Sequence, residues 1–255
     1  MTRLPVFLLI LAASSAYAGK FEPACPLPFS DIALSHPIDN QCDRAGSVSD
    51  PGASLQDLVK NNFCASGPTA PIVLAHLQKL QSLAVQKRLV PANNKLPSER
   101  GSLENILDGS LGEGKVVSLS GYVTNVGYGN SDTGETAHCN LAGNENNVVQ
   151  LKIAEKSEAD RDSHEAALAE ISPHFRPAGW EAGALKSLQS KKLPMRVTGQ
   201  LFFDASQTLW KIRPVYAIEV CPEKDVSLCG DGSWKRLASA SAKHVIRRAI
   251  SKTGH

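Results

Sequence analysis

After residue 18 the chain has no long apolar run. That excludes a conventional membrane-spanning helix, which needs about 20 consecutive apolar residues. Aromatic residues make up only 5% of the sequence, thin for a protein that would read bases by stacking. The sequence has no Cys-x-x-Cys pair and no Cys/His cluster at zinc-ligand spacing, so its cysteines do not read as metal ligands. Gly-rich phosphate loops, nucleophile elbows and His-Glu-x-x-His helices are also missing. These absences remove the usual positive signals for catalysis. The expectation is a non-enzymatic protein with no cofactor and no metal.

What is present at the N-terminus is an export signal. Arg3 precedes an apolar stretch from Leu4 to Ala13, and Ala16-Tyr17-Ala18 supplies the small-residue pattern that signal peptidase reads. Cleavage there leaves a soluble protein starting at Gly19, exported to the periplasm or secreted, and not an integral membrane protein. All six cysteines, Cys25, Cys42, Cys64, Cys139, Cys221 and Cys229, lie beyond that point. In an oxidising compartment an even count reads as three disulfides, whose pairing spacing alone leaves open.

Periodicity divides the rest. Residues 19–114 form an arm and helical extension: irregular to about residue 53, then helical over 54–89. Ser54 is the expected N-cap, Gly67-Pro68 the break and Pro91 the stop. From Lys115 the pattern alternates, with Val117, Leu119, Gly121 and Val123 on one face. Further strands are expected at Thr136–Leu141, Val148–Ile153, Met195–Asp204 and Leu209–Val220, with a helix over Ser163–Ile171. The order β-β-β-α-β-β over residues 115–223 predicts an α+β, mainly β chain built on an OB-like five-stranded barrel. Gly121 suits the bend that such a barrel needs. Residues 224–255 form a basic tail: from Trp234 onward there are six Lys or Arg and no acidic residue. Such a tail is a candidate contact for an anionic polymer or an envelope surface.

The segments Lys60-Asn-Asn-Phe-Cys-Ala65, Ala169-Glu-Ile-Ser-Pro-His-Phe-Arg-Pro177, Arg196-Val-Thr-Gly-Gln-Leu-Phe-Phe-Asp204 and Pro214-Val-Tyr-Ala-Ile-Glu-Val-Cys221 resemble a family of exported bacterial proteins of unassigned function. The likeness runs from about Cys42 to Cys221. It implies a shared domain and carries no activity or catalytic residue. Lys211 and Arg213 stand where the family pattern implies an acidic residue and a histidine, and Val148–Ile153 lacks an implied Asp/His pair.

Several residues could carry function. Tyr122, Phe202, Lys211 and Arg213 are candidate ligand contacts on the barrel, through stacking and positive charge. Phe202, projecting opposite Leu201 and Phe203, is the one expected to be exposed, whereas Trp210 and Tyr216 read as core. Arg176 could grip an anionic ligand, or pair with Glu170 to fix a turn. Glu135 and His138 would fall on opposite faces of a strand, leaving His138 exposed. Asp160, Asp162, His164 and Glu165 form an acidic cluster that could hold a catalytic metal for phosphodiester hydrolysis. The same residues equally suit the first turn of a helix. The leading expectation is a binding module for an oligosaccharide, nucleic acid or protein. A metal-dependent hydrolase and an envelope structural protein are the alternatives.

Overall fold

The alternation that begins at Val116 continues for thirteen residues, longer than one neighbouring strand can use. In the computed structural model, which describes residues 37–63, 65, 67–89, 100–158 and 166–237, this segment is β2 (Val116–Tyr128). It pairs antiparallel with β5 (Pro194–Asp204) through its first half and with β3 (Val149–Ala154) through its second. Gly121 lies where the partners change. A Cβ there would stand 2.6 Å from the carbonyl oxygen of Ala154, so only glycine lets the two backbones approach. A register shift between Val123 and Asn125 adds to the bend.

β3 continues antiparallel to β4 (Ala167–Ile171), β4 runs parallel to β6 (Leu209–Val220), and β6 returns antiparallel to β5. The cycle β2-β3-β4-β6-β5-β2 closes. Counted within the barrel, the strand order is 1-2-3-5-4-1, the Greek-key order of the OB-fold. Among the described residues one α-helix, α3 (Ala182–Ser190), sits between the third and fourth barrel strands, packing Ala182 and Leu185 into the core.

The expected order is found, but two of its members are not where periodicity put them. Thr136–Leu141 is not a strand. Thr136–His138 form a 3-10 turn, and Cys139 and Asn140 both have φ near 55°, which a ladder does not accommodate. The third strand is instead β4, within the stretch expected to be helical. Ala167, Ala169 and Ile171 bury on one side while the segment pairs on both edges. Residues 163–165 lie outside the described residues.

The N-terminal extension packs on this barrel. Helix α1 (Pro51–Lys60) is capped by Asp50, which accepts from Ala53 N at 2.9 Å, one turn earlier than the expected Ser54 cap. β1 (Ala70–Ile72) then adds to β2 in parallel, in a stretch expected to be helical. Helix α2 (Leu74–Gln86) buries Leu74, Leu77, Leu80 and Ala84 in the same core as Ile153, Ala167, Trp210 and Ile212. At the other end of the chain, Lys235–Arg236 form β7 on β6, and Trp234 lies over Arg196 at 4.7 Å. The basic segment therefore begins as part of the sheet; residues 238–255 lie outside the described residues. Two disulfides are described, Cys42–Cys139 and Cys221–Cys229; Cys25 and Cys64 lie outside the described residues.

Candidate functional site

Strand alternation sends Leu151, Ala169, Leu201, Phe203, Trp210 and Ile212 inward. Their neighbours therefore face outward from the barrel wall: Gln150 on β3, Glu170 on β4, Gln200, Phe202 and Asp204 on β5, Lys211 and Arg213 on β6. Gln150 stands opposite Glu170, and Phe202 opposite Lys211. This wall is the face on which OB barrels take ligands, between the loop joining the first two barrel strands and the loop joining the last two. Here those loops are 129–148 and 205–208.

The extension covers this wall. Phe202 has no exposed surface; the Arg100 guanidinium lies over its ring at 5.4 Å. Arg100 is itself fully buried, bonded to Glu113 through Nε at 2.6 Å, to Gln56 at 3.0 Å and to the Phe203 carbonyl. The expected exposure of Phe202 is thus overturned, because alternation tells which way a side chain points but not what lies above it. Asn62 of the extension donates to Gln200 at 2.7 Å.

Between α1 and the two loops remains a cavity of about 350 Å³, lined by Asp57 and Lys60 of α1, Glu135 of the first loop, and Glu170, Asp204, Lys211 and Arg213 of the barrel wall. Lys211 Nζ donates to Glu170 at 3.0 Å and Asp204 at 2.9 Å. Arg213 donates to Glu170 at 2.8 Å and Glu135 at 2.5 Å. Lys60 Nζ reaches Glu135 at 3.2 Å and Asp57 at 3.5 Å. Four carboxylates thus face three cations, and each cation holds two of the acids. Two atoms of the lining residues, Asp57 Oδ2 and Arg213 Nε, are buried without a hydrogen-bond partner among the described residues.

Burial and ion pairing oppose one another in these groups. Burial would raise Glu135 and Asp204, but Arg213 and Lys60 hold Glu135 well below the ordinary carboxylate range, and Lys211 and Lys60 bring Asp204 down to about 2. Burial prevails at Asp57, whose carboxyl is raised despite Lys60. It also drives His138 well below the usual imidazole range, aided by Arg213 and His174. His138 was expected on an exposed strand; it is fully buried, its Nδ1 3.2 Å from Glu135 Oε1. The 3-10 turn explains this, since it brings residues three apart onto one face.

The structure brings Lys211 and Arg213 together in this site and leaves Arg176 and Tyr122 elsewhere. Arg176 is buried. It donates to the carbonyls of Asn144, Glu145 and Asn147 and pairs with Glu181 at 3.0 Å, not with Glu170. It holds the first loop in shape. Tyr122 is buried, its hydroxyl bonded to Lys224 O and Val226 N. Asp160, Asp162, His164 and Glu165 lie outside the described residues. Asp57, Lys60 and Glu135 were not foreseen as one site, because two come from the extension, far from the barrel strands in sequence, and the third from a connecting loop whose fold periodicity does not show.

No family model matches the chain, and no curated protein matches it. Among solved structures, the crystal structure of yeast Stn1 and Ten1 is similar to it at 15% sequence identity and a TM-score of 0.33. That likeness spans 62% of this chain and 66% of that one.

Proposed function

We propose that this protein is an exported, non-enzymatic binding module of the exported bacterial family it resembles, and that its cavity takes a compact, uncharged, hydroxyl-rich ligand such as one or two sugar units. The observation that carries this reading is the pairing of charges inside the cavity. Lys60, Lys211 and Arg213 each already hold carboxylates, so a phosphate chain entering here would have to displace an internal partner. Among the described residues that line the cavity, no unpaired cation is left to drive such binding by counterion release. A neutral polyol asks for no such exchange. Its hydroxyls both donate and accept, so they can bridge the acids and cations that line the cavity without parting them. The volume suits a small ligand, being at the low end of the range for such sites.

The test is calorimetric titration of the oxidised protein with a panel of mono- and disaccharides, alongside a labelled single-stranded oligonucleotide, at low and near-physiological salt. The expected result is saccharide binding that changes little with salt and falls at least tenfold in Asp57→Asn. Oligonucleotide binding that survives near-physiological salt, or no saccharide binding anywhere in the panel, refutes the reading.

A further inference from the structure

The charged groups of the polar cavity form its floor, and its mouth is a different kind of surface. Of the residues lining the space, Asp57, Glu170, Asp204, Lys211 and Arg213 are buried, whereas the exposed ones, Asn130, Ser206 and Gln207, carry no charge. Asn130 stands at the start of the first loop, 129–148, and Ser206 and Gln207 on the second, 205–208. Each loop thus brings a side-chain carboxamide to the opening.

The ion network holds this mouth in place. Asp204, bonded to Lys211 through Oδ2, uses Oδ1 to accept from the Ser206 amide at 3.1 Å, the Ser206 hydroxyl at 2.6 Å and the Gln207 amide at 3.3 Å. Glu170 Oε1 accepts from Gln150 Nε2 at 3.0 Å as well as from Lys211. A Cβ at Gly129 would stand 2.7 Å from that Nε2, so glycine lets the Gln150 carboxamide lie against the start of the loop. Asn130 follows with a left-handed φ of 54°, which asparagine tolerates better than most residues, and its carbonyl accepts from Gly134 N at 2.7 Å to close the turn. Among the described residues, the side-chain carboxamides of Asn130 and Gln207 bond to no protein group. Being exposed, they exchange water for a ligand without breaking an internal bond.

A carboxamide offers a donor and an acceptor. Two of them, reaching in from separate loops, suit a group whose own donor and acceptor point apart. A trans secondary amide is such a group, since its N–H and C=O lie on opposite sides of one rigid plane. We propose that the mouth selects a sugar bearing an acetamido group, with Asn130 and Gln207 taking its N–H and carbonyl between them. Ala53, half-buried in the first turn of α1 and part of the same lining, meets the acetyl methyl. This selection rests on the cavity being the saccharide site and adds which saccharides it prefers.

The experiment is calorimetric titration of the oxidised protein with N-acetylglucosamine against glucose, and with N-acetylgalactosamine against galactose. The expected result is that, in at least one pair, the acetamido sugar binds about tenfold more tightly than its hydroxyl counterpart, the effect of one or two added hydrogen bonds. Asn130→Gly, which keeps the left-handed turn, and Gln207→Ala should each erase most of that advantage. Both should leave the affinity for the hydroxyl sugar and the melting temperature unchanged. Equal affinity within both pairs, or an acetamido preference that persists in both variants, overturns the selection while leaving the neutral-sugar reading intact. Binding by none of these sugars, or by any other in the wider panel, removes both.

Discussion

Asp204 offers the sharpest check on the ion network. It accepts from Lys211 at 2.9 Å, from the Ser206 hydroxyl at 2.6 Å and from the Ser206 amide at 3.1 Å. Its carboxyl is brought down to about 2, against an ordinary value of about 3.9 in an unfolded chain. A depressed carboxylate stabilises the fold above its unfolded pKa, and that stability is lost as pH falls toward the folded value. Linkage makes the full contribution about 2.5 kcal/mol at pH 7. Roughly 1 kcal/mol of it goes by pH 3 and about 2 kcal/mol by pH 2. Asp204→Asn keeps an acceptor for the Ser206 amide but sets a neutral amide against the Lys211 ammonium. Breaking one link of a buried pair costs about 3 kcal/mol. Since Lys211 keeps Glu170, no larger loss is expected. The variant should therefore be about 3 kcal/mol less stable at pH 7, with the gap narrowing by about 1 kcal/mol at pH 3. Urea melts of both proteins at pH 7, 5, 4 and 3 measure this. A gap that stays constant from pH 7 to pH 3 would show that Asp204 does not carry its charge into the fold, and the account of the cavity as an ion network would fail.

Other consequences can be measured on the same footing. Arg100→Met should cost about 3–5 kcal/mol in denaturant melts, because it leaves the Glu113 carboxylate buried without its cation; a loss below about 1 kcal/mol would contradict that burial. The Cys42–Cys139 bond spans 97 residues and Cys221–Cys229 only 8. Paired serine substitutions should cost about 4–5 kcal/mol at the first and about 2–3 kcal/mol at the second, and equal losses in melting experiments would refute the chain-entropy account. Gly121→Ala should destabilise by about 1–3 kcal/mol, since its Cβ would meet the Ala154 carbonyl backbone; an unchanged melting temperature would mean the barrel does not bend there.

The barrel was legible because its long strands bury one side and so write period two into the sequence. Val116–Tyr128, Pro194–Asp204 and Leu209–Val220 announce themselves that way. The third strand did not, because Ala167-Leu168-Ala169-Glu170-Ile171 is short, rich in good helix formers and held by partners on both edges. Its strand state is imposed by tertiary pairing that overrides local preference. The candidate site was half visible. Lys211 and Arg213 stood out as cations on a strand, but their pairing with Glu170 depends on β4, which local pattern did not reveal, and that of Arg213 with Glu135 on how loop 129–148 folds back. Phe202 shows the same limit from the other side. Its outward direction followed from alternation, whereas the Arg100 lid above it came from a segment with no periodicity.

The placement of α2 has a kinetic consequence. This helix precedes the barrel in the chain, yet much of the core it packs against includes Trp210 and Ile212 of β6, the last barrel strand in sequence. A chain emerging from its N-terminus cannot finish covering Leu74, Leu77 and Leu80 until β6 arrives, and contacts of such long sequence separation form slowly. The segment is thus both the earliest part of this core to appear and among the last to find its place. For an interval the nascent protein presents a row of leucines to whatever holds it.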